Sequence, residues 1–242
     1  MDSRLPAGDL MADPAVPHPR IDRDSVGWIS EEQMIEVDRV MIEDLDITLF
    51  QMMENAGRNL ARVVIDGFAP TTVAVAAGTG GNGGGGLVAA RHLANAGIDV
   101  SVVVTSPDRL TPVPRHQFDV LTRMGVEVRP ELPAADVTID AIIGYSLRGA
   151  PRGRSAELIE AVAANRTVVS LDNPSGVNVT TGEVPGVAVQ ADVTMTLCLP
   201  KTGLRDHPAV GELLLADISV PRFVTAELGG SPDFRASPIL HL

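Results

Sequence analysis

Cysteine is nearly absent: Cys198 stands alone in 242 residues. One thiol builds neither a disulfide framework nor a thiolate zinc site, and it fits a reducing compartment. Its neighbours in "MTLCLP" are apolar, which favours a buried structural thiol over a nucleophile. Aromatic residues are also scarce, at 3% against an apolar fraction of 45%, so the core must be built from Val, Leu, Ile, Ala and Met. Such a core suits a parallel sheet covered on both faces. Basic charge is short too. The net charge of −12 argues against nucleic acid or an anionic membrane as partner, because both need a basic footprint. An anionic small ligand held by backbone amides stays open. No apolar run is long enough to span a bilayer. The first 27 residues, rich in Pro, Asp and Arg, lack the apolar stretch of a secretion signal. They read as a disordered tail with His18 in solvent, on a cytoplasmic protein.

Glycine, by contrast, is concentrated. Residues 77–93 read "AGTGGNGGGGLVAARHL", directly after the apolar run "TTVAVAA". So much glycine costs backbone entropy, and only a close approach or positive φ angles demand it. Around this stretch lies a regular alternation. "WISEEQMIEVDRVMIEDL" is a helix with a Ser30–Gln33 capping box, and "LFQMMENAGRNLARVVIDGF" is a second. Then strands ("TVAVAAG", "DVSVVVT", "DVTIDAII", "RTVVSLD", "ADVTMTLCLP", "GELLLADISVP") are interleaved with helices, the first of them "LVAARHLANAG" after a glycine loop. This pattern predicts parallel pairing with right-handed crossovers, in one α/β domain spanning residues 28–225. Residues 226–242 read as a trailing extension.

The glycine stretch satisfies G-x-G-x-x-G through Gly78, Gly80 and Gly83, but no acid ends the second strand to hold a ribose. No Lys-Ser or Lys-Thr follows, so a P-loop is excluded. What remains is anion binding by amides at a helix N-terminus, or a tight turn packing helix on sheet; seven glycines exceed what packing needs, which favours a ligand. In an open parallel sheet, ligands bind beyond the carboxyl ends of the strands, where the order reverses. Three loops there carry unusual polar residues: Asn82 in the first, Asp140 before "GYSLRGAPRG" in the second, and Asp172, Asn173 and Ser175 of "LDNPSGVN" in the third. Such oxygens suit a hard cation, and a carboxylate among them can move protons.

At this point the sequence resembles the NAD(P)H-hydrate epimerases, the YjeF N-terminal domain family. The resemblance runs from Trp28 to Pro221 and rests on "EEQMIEVDR", "MMENAGRNLA", "GGNGGGGLVAARHL", "IDAIIGYSLRGAPRG", "SLDNPSGVNVTTGEV", "ADVTMTLCLPKTGL" and "LLADISVP", in that order. It implies a Rossmann-like three-layer α/β/α sandwich with a mostly parallel sheet, commonly a homodimer. The implied activity interconverts the R and S hydrates of NADH and NADPH, with an ATP- or ADP-dependent dehydratase on a separate chain as pathway partner. By position, the resemblance implies Asn82, Asp140 and Ser175 as ligands of one potassium ion per subunit. It implies substrate contacts from Gly81, Asn82, Gly83, Gly84 and Gly85, from Gly144, Tyr145, Ser146, Leu147, Arg148, Gly149 and Ala150, and from Asp172.

Chemistry on the hydrated ring then asks for an acid to expel the hydroxyl and a base for returning water. Asp172 is the candidate, a role for which its pKa needs raising. Lys201 of "LPKTGL" either tunes Asp172, touches phosphate or is a solvated lysine at a strand end. Departures from the family pattern are local. Gly81 and Gly85 stand where relatives carry Asn and Asp, Asn173 replaces an apolar residue, and Asn178 stands where Asp is frequent. Each lost charge-assisted contact is worth roughly 1.5–3 kcal/mol. Three readings follow: a working epimerase with an altered loop, a non-catalytic binding or dimerisation domain, and an enzyme repurposed for another small molecule.

Overall fold

The computed structural model describes residues 17–242, so the expectation of a tail over residues 1–16 lies outside them. Residues 17–27 are not a tail. The N–H of Ile21 donates to the carbonyl of His241 at 2.9 Å, the N–H of His241 donates to that of Pro19 at 2.8 Å, and Val26 is buried. His18 is half-buried rather than solvated. Helix α1 (Glu31–Arg39) starts on the expected box: the Ser30 hydroxyl accepts from the Gln33 N–H, and the Gln33 side chain accepts from the Ser30 N–H. It runs into a π turn at Val40–Asp44 and then α2 (Leu49–Phe68).

Strands and helices alternate from there: β1 (Thr72–Ala77), α3 (Gly81–Asn95), β2 (Asp99–Val104), α4 (Pro112–Arg123), β3 (Glu127–Val128) and β4 (Val137–Ala141). They continue with α5 (Arg154–Ala163), β5 (Val168–Leu171), β6 (Val193–Leu197), β7 (Glu212–Ala216), α6 (Arg222–Ala226) and β8 (Ile239–His241). The eight strands form one sheet in the order β3-β2-β1-β4-β5-β6-β7-β8, parallel except at β8. Alternate residues of β1 point to opposite faces. Val73, Val75 and Ala77 join the cluster that holds α2 and α3, while Ala76 packs with Leu158, Ile159 and Val162 of α5. Helices therefore cover both faces, which is the sandwich expected. The segment read as a trailing extension is instead part of the sheet: β8 pairs antiparallel with β7.

The chain steps outward from β1 to β2 and β3, then returns to lay β4 on the other side of β1. The loops after β1 and β4 consequently part at their carboxyl ends, leaving a crevice between them.

The glycines need a correction. They do not form a loop ahead of a helix, because α3 begins at Gly81 and four of them are buried within it. A Cβ on Gly83 would lie 2.0 Å from the carbonyl oxygen of Gly78, and one on Gly86 would lie 2.4 Å from the Ala141 Cβ. Helix α3 thus rests on the sheet closer than any side chain permits, so packing accounts for more of the glycine than the sequence suggested. Gly83→Ala meets a backbone atom that cannot rotate away and is expected to cost about 3 kcal/mol. The urea midpoint checks this; a loss below about 1 kcal/mol would mean that α3 backs off cheaply.

Candidate active site

A cavity of about 590 Å³ occupies the crevice between β1 and β4, within the usual range for a small-molecule site. Its walls come from the turn after β1 (Gly78 to Asn82), the turn after β4 (Ile142 to Ser146), Asp38 of α1 and Asp172 after β5.

Asn82 is the second residue of α3, whose N-cap, Gly80, has no side chain to satisfy the free amides of the first turn. Both polar atoms of the Asn82 carboxamide are buried without a partner among the described residues. The carboxamide is pressed against Gly144, where an added Cβ would lie 3.1 Å from the Asn82 Cβ. A carboxamide with both polar atoms buried and unpaired, on the wall of a cavity, points to a ligand.

Asp140 and Ser175 form a clasp rather than a wall. The Ser175 N–H and hydroxyl donate to the buried Asp140 carboxylate at 2.8 and 2.5 Å, the Ser170 hydroxyl donates at 2.8 Å and the Ile142 N–H at 3.2 Å. Burial pushes the Asp140 carboxyl up, and these four donors pull it back. The Ser175 hydroxyl oxygen also accepts from the Ile143 N–H at 2.8 Å. The loops after β4 and β5 are therefore locked together, and Gly144 is held against Asn82.

Asp172 stands immediately after β5 with φ at +68°, a left-handed conformation that stores strain in a residue other than glycine. Its N–H is bonded to the Met195 carbonyl at 2.8 Å, which keeps the turn in place. Lys201 donates its ammonium to Asp172, to the Leu197 carbonyl at 2.9 Å and to the Thr196 hydroxyl at 3.2 Å. The lysine has no solvent exposure at all, which overturns the reading as a solvated strand-end residue. Two charges so deeply buried persist because they are paired and hydrogen-bonded. Of the two, Asp172 reaches the cavity wall and Lys201 lies behind it.

The remaining expected contacts divide. Gly81, Asn82, Gly144, Tyr145 and Ser146 line the cavity; Leu147, Arg148, Gly149 and Ala150 line an adjoining hollow of about 380 Å³. The two spaces share Ile143, Ser146 and Ser155. Gly83, Gly84 and Gly85 line neither. A Cβ at Gly85 would lie 2.7 Å from Leu171 Cδ2, so the space beside Gly85 is filled by the residue next to Asp172.

Sequence reading missed Asp38. Its carboxylate accepts from the Tyr145 hydroxyl at 2.6 Å on the cavity wall. Burial pushes the Asp38 carboxyl up, partly offset by that hydrogen bond and by Lys201. Burial and the neighbouring Asp38 push the Tyr145 phenol far up. A signal was available. Met34, Val37 and Met41 are the buried stripe of the first helix and its π turn, and Asp38 falls between them at helical spacing.

Residues 49–203 match the family model described as YjeF-related protein N-terminus. The chain belongs to this family. Among YjeF-related relatives, the NAD(P)H-hydrate epimerase of Dehalogenimonas lykanthroporepellens is 46% identical over 205 residues, covering 81% of this chain and 83% of its own. That of Truepera radiovictrix is 37% identical, covering 77% and 87%. The bifunctional NAD(P)H-hydrate repair enzyme Nnr of Hyperthermus butylicus is 41% identical over 81% of this chain, but the match spans only 39% of that longer protein. The crystal structure of yeast ynu0 superposes with a TM-score of 0.78 at 25% identity, covering 89% of this chain and 99% of that one. Asn82, Asp140, Asp172, Ser175 and Lys201 lie inside the segment matched by the YjeF-related model, and Asp38 lies before it.

Proposed function

We propose that the protein epimerises hydrated NADH and NADPH, interconverting their R and S forms in nicotinamide cofactor repair. The observation that carries this is the buried Asp172–Lys201 pair opening onto the switch-point cavity. The names of the relatives supply the substrate class. The two adjoining hollows suit a ligand with two halves, as a dinucleotide is.

The hydrated ring carbon sits next to the ring nitrogen, so its C–O bond breaks once the hydroxyl is protonated. The oxygen leaves as water with the bonding pair, and the nitrogen lone pair forms an iminium bond. Water then adds to the other face and gives up a proton. Asp172 is the group we assign to proton handling, with Lys201 fixing its carboxylate through Oδ1. The clasp of Asp140 and Ser175 orients the turn after β4 against the substrate, and the first-turn amides of α3 suit its phosphates.

Asn82, Asp140 and Ser175 would hold the potassium ion. The unpartnered Asn82 oxygen fits such a ligand, and the oxygen-only donor set suits a hard cation rather than zinc. When bound, the ion supplies positive charge that ties three loops together. A cytoplasmic homodimer belongs to this reading, with a dehydratase as pathway partner; a bifunctional relative, 39% covered by this match, supports a second activity beyond it.

The test is epimerisation of R-NADHX followed by chromatography at fixed potassium. Equilibration with the S form faster than the spontaneous rate is expected. No acceleration by folded protein would overturn the reading.

A further inference from the structure

Inversion at one carbon needs the hydroxyl to leave from one face and water to return on the other. A single carboxyl reaches one face. We infer that Asp38 is the second catalytic carboxyl, acting on the ring face opposite Asp172. This rests on the epimerase reading above and deepens it.

Three observations carry the assignment. Asp38 and Asp172 line the same cavity from separate elements, α1 and the turn after β5, so two carboxyls from different parts of the chain open onto one ligand space. Their surroundings are opposite in kind. Asp172 is held against the Lys201 ammonium, whereas Asp38 receives the neutral hydroxyl of Tyr145. Burial also favours the protonated form of Asp38, and paired titratable groups in contrasting environments mark an acid and a base. The charged and titratable groups facing Asp38 are Tyr145 from the turn after β4, Lys201 and Cys198 from beyond β6, and Asp172 from beyond β5.

The atoms balance in both directions. Asp38 starts protonated and gives its proton to the departing hydroxyl. The C–O pair leaves with the oxygen as water, and the iminium ion forms. A second water attacks from the far side, its proton passes to the Asp172 carboxylate, and the iminium pair returns to nitrogen. The opposite epimer begins with Asp172 protonated and Asp38 ionised. Between turnovers the two carboxyls exchange protons with solvent, so no further reactant is needed.

The experiment uses the full-length protein. Asp38→Asn keeps the shape and the acceptor for Tyr145 but cannot supply the proton. Its kcat is expected to fall at least about 100-fold, with KM and the melting temperature held near those of the unsubstituted protein. Asp38→Glu is expected to recover part of the loss. Tyr145→Phe removes a hydrogen bond that stabilises the ionised carboxyl, so Asp38 stays protonated to higher pH. The alkaline limb of kcat/KM then moves upward by the same amount in both directions, since their ratio is fixed by the equilibrium constant. Asp38→Asn with undiminished kcat, or Tyr145→Phe with unmoved limbs in both directions, overturns the assignment while the epimerase reading stands. If the unsubstituted protein gives no acceleration, that reading fails first and the role of Asp38 falls with it.

Discussion

Asp172→Asn is expected to slow epimerisation by about 100- to 10,000-fold, the range associated with losing a positioned proton-transfer group. Asparagine preserves the oxygen that accepts from Lys201 and the tolerance of a left-handed backbone that Asp172 requires at φ +68°. It cannot take up the proton of incoming water. Rates measured well below the variant's own melting midpoint, with circular dichroism to show that it is folded, separate chemistry from stability. A variant that keeps its rate within about tenfold would remove Asp172 from the proton path and leave its charge a structural role.

Lys201→Met is expected to cost about 3–5 kcal/mol, because it strands a carboxylate that is 3% exposed beside a thioether. Methionine nearly matches the lysine stem in volume, so lost packing explains little of that figure. The control is the double replacement Asp172→Asn with Lys201→Met, which leaves no buried charge. It should regain more than half of the loss in urea unfolding. If the double variant is as unstable as the two single losses added together, the pair carries no coupling and the cost lies in packing.

Much of the fold was legible because parallel sheets write themselves plainly. Strands buried on both faces are short apolar runs, and β1, β2, β4, β5, β6 and β7 all stood out as such. The two edge strands did not. β3 is two exposed residues with no apolar signature, and β8 is three residues inside a stretch of Gly, Pro and Ser. Neither pairs through its own pattern; each is recruited by a neighbour already in place. The segment ahead of α1 was misread for the same reason, since its ordering depends on hydrogen bonds to His241, some 220 residues distant.

The site was legible where strand ends mark it. Asn82, Asp140, Asp172 and Ser175 follow from polar residues at carboxyl ends, and the structure brings their loops to one crevice. What local reasoning misjudged was the division of labour. Glycine looked like a ligand cradle, yet Gly83 answers to the turn after β1 and Gly86 to β4 beneath α3. The absent charge at Gly85 looked like an emptied contact, yet Leu171 fills that space. Asp38 was overlooked because it sits within an otherwise ordinary amphipathic helix, and only tertiary packing delivers that face to the cavity.

The two ends of the sheet constrain how copies of the chain meet. An open strand edge is a template for another chain, and one of these edges offers only Glu127 and Val128, with Arg129 paired to Glu127 at 2.6 Å. At the other, the backbone from Pro19 to Ile21 already hydrogen-bonds to His241 of β8. Among the described residues, continuation of the sheet from one molecule into the next is therefore disfavoured at β3 and obstructed at β8. Assembly is thereby directed to helix and loop surfaces, which leaves the strand order of each molecule unchanged.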